Sequence, residues 1–298
     1  MRFDAIVIGG SFAGLEAATY IARALRTVCV IDAGLPRNRF AKHSHGYLSR
    51  DGSAPSEILD SARTQLRAYP TVEMIHGIVE EAHESADGFT VRSSDGSEIT
   101  GRRLVLAFGV SDELPNVAGI AERWGKTVNH CPYCHGFEFA GKALGVLHTS
   151  EHSPHQVRVI REWGPTTYLL HGHDVDRSTL DELEALGVPI APELVTGLEG
   201  DGAGIDKVLL AGGRTIDIDA LYIAPSTRLN SPIAEQLGCE LEDGPMGPMI
   251  KVGQFQETSV PGVFAAGDIT RPMHAITLAT ADGMIAGTAL HRSLFFSS

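Results

Sequence analysis

No uninterrupted apolar run in the sequence approaches the roughly 18–20 residues that a membrane-spanning helix needs. Basic residues are short in supply as well. Lys and Arg total 24 against 37 Asp and Glu, for a formal charge of −13. A surface that acidic repels phosphate backbones and anionic lipid, so neither nucleic acid nor a membrane is expected as a partner. Cysteine is scarce, with four in 298 residues. That is too few for a disulfide framework, so any closely spaced pair points to catalysis or metal binding. The chain also lacks a charged-then-apolar leader. Phe3-Asp4-Ala5 runs straight into a strand pattern, and the expectation is a cytoplasmic protein without a signal peptide. There is no low-complexity tract and no short tandem repeat.

What is present suits two domains. The length is 298 residues, 43% of them hydrophobic, with mean hydropathy near zero at +0.01. The apolar run Ala5-Ile6-Val7-Ile8 fits a buried parallel strand. A tight turn follows, through Gly9, Gly10, Ser11, Phe12, Ala13 and Gly14. From Leu15 the apolar spacing is helical, with Leu15, Ala18, Ile21, Ala22 and Leu25 on one face. A second apolar strand, Val28-Cys29-Val30-Ile31, ends in Asp32. Strand, glycine turn, helix, strand and acid make up a dinucleotide fingerprint. Small residues let the backbone approach a pyrophosphate at the positive end of the helix, and the acid accepts hydrogen bonds from the adenosine ribose. Ser11 stands where the middle glycine of the pattern belongs. The fingerprint alone does not separate FAD from NAD. The stretch PRNRFAKHSHGYLSRDG (36–52) is basic and histidine-rich in an acidic chain. It follows Asp32, so Arg37 and Arg39 are placed to reach cofactor phosphates and His45 to lie beside the cofactor ring.

A second motif stands near the other end, TSVPGVFAAGDIT (258–270). There an apolar strand, Val263–Ala266, ends in Gly267-Asp268. The helix expected after it opens at His274 and Ala275 and carries small residues at Ala279, Gly283 and Gly287, which allow close approach. Cofactor motifs at both ends imply one discontinuous domain with an insert. The segments are read as 1–112 and 240–298 for the cofactor domain and 113–239 for the insert. DELPNVAG (112–119) and LEDGPMGPMIKV (241–252) supply the Pro- and Gly-rich crossings.

The insert opens with His130-Cys131-Pro132-Tyr133-Cys134-His135-Gly136. Locally this allows half a zinc site, a structural knuckle or a redox dithiol. Zinc takes four ligands, and the sequence offers no second C-x-x-C to complete a set, so no metal is expected. Pro132 suits the first position of a helix, which puts Cys131 at its N-cap. A helix N-terminus and flanking histidines both lower a thiol pKa. His130 and His135 are the candidate proton carriers, since imidazole titrates near neutrality.

Two cofactor motifs, an insert and a C-x-x-C at its start resemble the low-molecular-weight thioredoxin reductase family along nearly the whole chain. LVLAFGV (104–110) resembles a linking segment of the same enzymes, with Phe108 in place of Thr. The C-x-x-C-H-G form is similar to the branch containing the gliotoxin- and holomycin-type dithiol oxidases. The resemblance implies an α/β fold of two Rossmann-like three-layer domains, the FAD domain discontinuous. It implies FAD held by Gly9, Gly10, Ser11, Ala13, Gly14, Asp32, Arg37, His45, Gly267, Asp268, His274 and Ala275. It implies that Cys131 is the outer thiol, which meets substrate, and Cys134 the inner one, which faces the flavin. It also implies a homodimer acting on a small dithiol or disulfide, or on a thioredoxin-like protein.

The insert departs from the family where NADPH should bind. After the strand Ala143–Leu147 comes HTSEHSPHQ (148–156), with no glycine, and Glu151 would repel a pyrophosphate. After the strand Thr167–Leu170 comes HGHDVDRS (171–178), where the family's arginines give way to Gly172 and His173 and Asp174 and Asp176 add negative charge. Three readings remain open at this stage. The first is an FAD-dependent dithiol oxidase that hands electrons to oxygen, with NADPH doubtful. The second is an NADPH- or other donor-dependent disulfide reductase. The third is a flavin sensor without turnover.

Overall fold

The computed structural model describes residues 2–296. Its first half builds a parallel sheet in the way the apolar pattern dictates. β1 (Arg2–Ile8), β2 (Val28–Asp32) and β3 (Val72–His76) lie side by side, each parallel to the next. Between β1 and β2 runs helix α1 (Phe12–Arg23), and before β3 runs helix α2 (Pro55–Arg67). The helical pattern thus begins at Phe12, three residues ahead of the Leu15 expected from the sequence. Gly14 lies inside the helix, where a Cβ would sit 1.8 Å from the Gly9 carbonyl oxygen. Its missing side chain therefore serves helix-on-strand packing.

β4 (Val79–Ser85) and β5 (Gly88–Ser93) form a hairpin, and β6 (Glu98–Leu106) completes the run. The start of β6 pairs antiparallel with β5 through Glu98–Gly101. β6 is also parallel to β1, and its end, Leu104–Leu106, pairs parallel with the strand Val263–Ala265. The sheet order is β3-β2-β1-β6-β5-β4, with the late strand on β6.

Side chains alternate across this sheet as period-2 geometry requires. Ile6, Ile8, Cys29 and Ile31 face one core, with Leu104 and Leu106. Ala5, Val7, Val28 and Val30 face the other, beneath α1 and the C-terminal helix Ile276–Ser293. Those two helices meet closely because Gly283 and Gly287 lack side chains. Their Cβ atoms would stand 2.2 Å from the Ala13 and 2.6 Å from the Ala17 carbonyl oxygens. The small-residue spacing of the C-terminal helix is therefore used against α1.

The second sheet has five parallel strands, in the order Ile190–Ala191, Thr166–Leu169, Leu144–Leu147, Ala220–Tyr222, Val128–Asn129. A three-stranded antiparallel sheet, Val195–Glu199, Lys207–Leu210 and Thr215–Asp217, accompanies it. A sheet with a parallel core and an antiparallel edge, and a second sheet that is parallel throughout, establish a mixed α/β fold of Rossmann-like units.

Contacts divide the chain into two compact units. The first comprises the residues up to Arg39, Ser56–Ser111 and Thr227 onward; the second comprises Phe40–Pro55 and Asp112–Ser226. The contacts of the first unit resume at Thr227. Ile233, Ala234 and Cys239 pack with Ile250 into the core on Ile6 and Leu104, which ties 227–239 to the first unit. Residues 40–55 make their contacts with the second unit. One cause is Phe40, whose Cβ takes the space a Cβ on Gly125 would need, at 2.9 Å.

Candidate functional site

In the first unit, the turn after β1 is shaped to admit a ligand's backbone-bound phosphate. Gly9 has φ +113, and a Cβ there would lie 2.2 Å from the Ala107 carbonyl oxygen. A Cβ on Gly10 would run into the Asp32 side chain at 2.6 Å. Ser11 is the N-cap of α1, yet its side chain makes no capping hydrogen bond. The first N–H groups of the helix are thus left to an outside acceptor, at the positive end of its dipole. The cradle fits a pyrophosphate.

Asp32 stands at the end of β2, where the fingerprint puts it. Its carboxylate accepts from the Gly34 N–H at 3.0 Å and pairs with Arg63 Nη2 at 3.1 Å. Arg63, on α2, also donates to the Gly10 carbonyl at 3.4 Å. It ties acid and glycine turn together, and nothing in its local sequence signals that role. A cleft of about 250 Å³ opens beside Ala33, lined also by His76, Gly77, Ser93 and Asp95.

Five further candidates lie in the same unit. Arg37 donates to Asp268 Oδ2 at 3.1 Å and to His274 Nδ1. His274 Nε2 contacts the Arg271 carbonyl at 3.0 Å. A carbonyl only accepts, so Nε2 carries the proton and Nδ1 is the acceptor. Gly267 has φ +86, and a Cβ there would press on Ala13 at 2.9 Å. Ala275 is the N-cap of the C-terminal helix and offers no capping side chain, leaving a second helix N-terminus open. Arg39 turns back to the Pro36 carbonyl at 3.0 Å. Behind this group lies a pair that the sequence reading overlooked. Asp282, fully buried, is bound by Arg271 through Nε at 2.6 Å and through Nη2, and by Gln256 Nε2 at 3.0 Å. The pair fixes the segment after Gly267-Asp268 to the helix that follows.

In the second unit, Pro132 opens a one-turn helix, Pro132–His135, with Cys131 at its N-cap. The strand Val128–Asn129 delivers it. Gln156 holds the strand end, donating to the carbonyls of His130 at 2.9 Å and Ile223 at 3.1 Å. Tyr222 OH donates to the His135 carbonyl at 2.9 Å. Gly136 is required by packing, since a Cβ would strike the Pro132 carbonyl oxygen at 2.5 Å and the Trp163 indole at 2.8 Å. Tyr133 packs edge-on against Trp163, 5.5 Å between ring centroids, and remains mostly exposed, as does Phe137.

The two sulfurs lie 3.0 Å apart, with the Cys134 thiol donating to Cys131. That hydrogen bond, joined by the backbone N–H groups of Cys134 and Tyr133, outweighs burial and brings the Cys131 thiol down to about 7. The other cysteines are inert by contrast. Burial pushes Cys29 up to about 12 and also raises Cys239, whose sulfur sits 3.6 Å from Thr258 Oγ1. Among the described residues no three His, Cys, Asp or Glu side chains converge as metal ligands would.

His130 and His135 flank the pair differently. His130 Nδ1 is 3.3 Å from the Ile223 carbonyl. Burial lowers the pKa of His135, against the opposing charge of Glu138. His45 stands in this unit. Its Nε2 is 3.4 Å from Glu138 Oε1 and its ring is edge-on to His135 at 6.3 Å.

At the end of the strand Leu144–Leu147, the next turn is closed on itself. Ser153 Oγ, fully buried, accepts the N–H groups of Thr149 at 2.9 Å and Ser150 at 3.2 Å. Past the strand Thr166–Leu169, His148 and His173 stack at 4.8 Å, and Asp176 caps the helix Arg177–Ala185. Arg177 is engaged by Asp181 and by Glu184 at 2.9 Å.

A dinucleotide cradle in one α/β unit and a dithiol helix in a second define an FAD/dithiol type of oxidoreductase. The chain belongs to the pyridine nucleotide-disulphide oxidoreductase family, whose pattern it matches over residues 3–283. Membership implies FAD as a cofactor, which the first unit's cradle fits. The chain is 32% identical to thioredoxin reductase sirT of Leptosphaeria maculans, over 97% of this chain and 93% of that one. It is similar in structure to an oxidoreductase from Agrobacterium tumefaciens, with 42% identity, full coverage of both chains and a TM-score of 0.95. It is also similar to HlmI, with 35% identity, 98% and 92% coverage and a TM-score of 0.93. The protein is thus a thioredoxin reductase-like disulfide oxidoreductase. Among the described residues no helix is long and apolar enough to cross a membrane.

Proposed function

We propose that the protein oxidises a small dithiol, using Cys131 and Cys134 as the exchanging pair, FAD as electron carrier and oxygen as the final acceptor. The observation that carries this reading is the turn at 148–153. Its N–H groups at Thr149 and Ser150 are spent on Ser153 Oγ. In a pyridine-nucleotide site those groups would meet the pyrophosphate. The one arginine beyond the next strand, Arg177, is held by acids. Charge-assisted phosphate contacts are worth about 1.5–3 kcal/mol each, so losing several weakens NADPH binding by orders of magnitude.

A dithiol enters by another route. One substrate thiolate attacks Cys131 of the Cys131–Cys134 disulfide, and Cys134 leaves as a thiolate. The second substrate sulfur then attacks the first, a substrate disulfide forms, and Cys131 leaves. The backbone N–H groups of Cys134 and Tyr133, which favour the Cys131 thiolate, stabilise it as a leaving group. FAD held by the Gly9–Gly14 turn, Asp32 and Asp268 would supply a two-electron acceptor for the enzyme dithiol, with oxygen as the final one. On this reading Cys134 is the inner thiol, His130 and His135 carry protons, and the chain acts as a homodimer.

The rival reading is a reductase driven by NADPH, favoured by relatives that carry the name thioredoxin reductase. Anaerobic stopped-flow mixing decides between them. Dithiothreitol is expected to bleach the flavin and NADPH to do so slowly or not at all, with oxygen consumed on re-aeration. Bleaching by NADPH within about a second at sub-millimolar concentration overturns the oxidase reading.

A further inference from the structure

Residues 40–55 fold onto the unit that carries the dithiol, and they bring one titratable side chain into a group that the mechanism above leaves unused. His45 lies between two carboxylates. Its Nε2 is 3.4 Å from Glu138 Oε1, and its Nδ1 is 3.6 Å from Asp51 Oδ2. Asp51 is fixed in turn, accepting from the Gly46 N–H at 2.8 Å. The ring of His45 is edge-on to His135 at 6.3 Å and 6.3 Å from the ring of His43. The loop is not free to drift. Ser44 and Ser53 pair across it, and His43 Nδ1 contacts the Gly52 carbonyl at 2.9 Å.

His135 has one nitrogen committed and one open. It hydrogen-bonds the His43 backbone, and its Nε2 is buried with no partner among the described residues. A buried imidazole that accepts a proton becomes a buried cation, which desolvation disfavours. It needs a neighbour to pass the proton on. The groups facing His45 are His43 and Asp51 from its own loop and His135 and Glu138 from the dithiol segment. They grade from buried to wet: the His45 side chain is 24% exposed, Glu138 39% and Asp51 70%.

We propose that His45 is a positioning residue for the dithiol exchange, relaying the proton from His135 to solvent by way of Glu138 and Asp51. This rests on the oxidase reading. As the second substrate sulfur attacks, its proton goes to His135 Nε2, the substrate S–S bond forms, the bond from substrate to Cys131 breaks, and Cys131 leaves as a thiolate. No electron passes through the histidines. The proton on His135 has to leave the buried ring within the same turnover, as Cys131 departs, and His45, edge-on at 6.3 Å, is the titratable ring beside it. A cofactor-side role for His45 would instead tie it to flavin content.

The test compares His45→Gln with wild type and with Cys131→Ser, by anaerobic reduction with dithiothreitol across pH. His45→Gln keeps hydrogen bonding and removes titration. Its flavin content and melting temperature should match wild type. Its reduction rate should fall about tenfold, part of a full general-base contribution, and added imidazole should restore part of the loss. An unchanged rate and pH profile in His45→Gln, while Cys131→Ser is dead, overturns the relay and leaves the oxidase reading standing. Loss of flavin from His45→Gln with a normal rate per bound flavin also overturns it, in favour of a cofactor contact. Failure of wild type itself to be reduced by the dithiol sinks both.

Discussion

Arg37 and Asp268, 231 positions apart in the sequence, meet as an ion pair at 3.1 Å, each side chain about one-fifth exposed. The pair joins the loop after β2 to the turn after the late strand, the two places where cofactor motifs were read. His274, in the tautomer fixed by the Arg271 carbonyl, accepts from the same guanidinium. The discontinuous unit is thereby closed around its own cradle.

The protein should be yellow as purified, with FAD in every chain. Asp268→Ala should cut flavin occupancy sharply. Arg37→Met should weaken FAD by about tenfold, since a half-buried charge loses its partner at a cost of about 1–2 kcal/mol. Flavin absorbance per protein after dialysis measures both. Full occupancy in Asp268→Ala would show that this acid does not hold the cofactor.

The two active thiols should differ. Cys131→Ser leaves Cys134 alone, and a long-wavelength charge-transfer band with the oxidised flavin is expected there and not in Cys134→Ser. A band confined to Cys134→Ser would exchange the inner and outer roles.

Thiol reactivity should follow pH with a set direction. The folded-state pKa of Cys131 is lowered to about 7. Its thiolate is therefore present above pH 7 and lost as pH falls through it. Iodoacetamide labelling of the reduced protein, read by peptide mass, should rise through that range at Cys131. Cys29, raised to about 12, should stay unlabelled in the folded chain. A labelling midpoint near 9 would mean that the Cys134 hydrogen bond and the N-cap position do not stabilise the thiolate.

Gly287→Val should destabilise the first unit by about 1–3 kcal/mol or more, because its Cβ would fall 2.6 Å from the Ala17 carbonyl oxygen and α1 must move. Chemical denaturation with flavin fluorescence as a probe would register the loss. An unchanged midpoint would mean that the α1 contact yields easily.

Much of the first unit was legible because its signals are local. A strand, a glycine turn and a helix are adjacent in the chain, and Gly9, Gly10, Gly14 and Asp32 do their work within that one segment. The start of α1 was misjudged by three residues because Gly14 reads as turn material and in fact occupies the helix for packing. The one-turn helix at Pro132 was legible for the same reason, since proline presets its own backbone and places Cys131 at the cap.

The sequence by itself determined the two α/β sheets, the glycine turn ahead of α1 and the spacing of the dithiol, because each depends on residues a few positions apart. Only the tertiary structure decided which side chains complete them. Arg63 reaches Asp32 from another helix, Asp282 is buried against Arg271 and Gln256, Ser153 closes its turn, and His45 stands with Glu138 and His135 in the second unit. It also decided that the chain re-enters the first unit at Thr227, through the packing of Ile233, Ala234 and Cys239. These outcomes are set by the three-dimensional approach of distant segments, where hydrogen-bond distance and desolvation select partners that no linear spacing encodes.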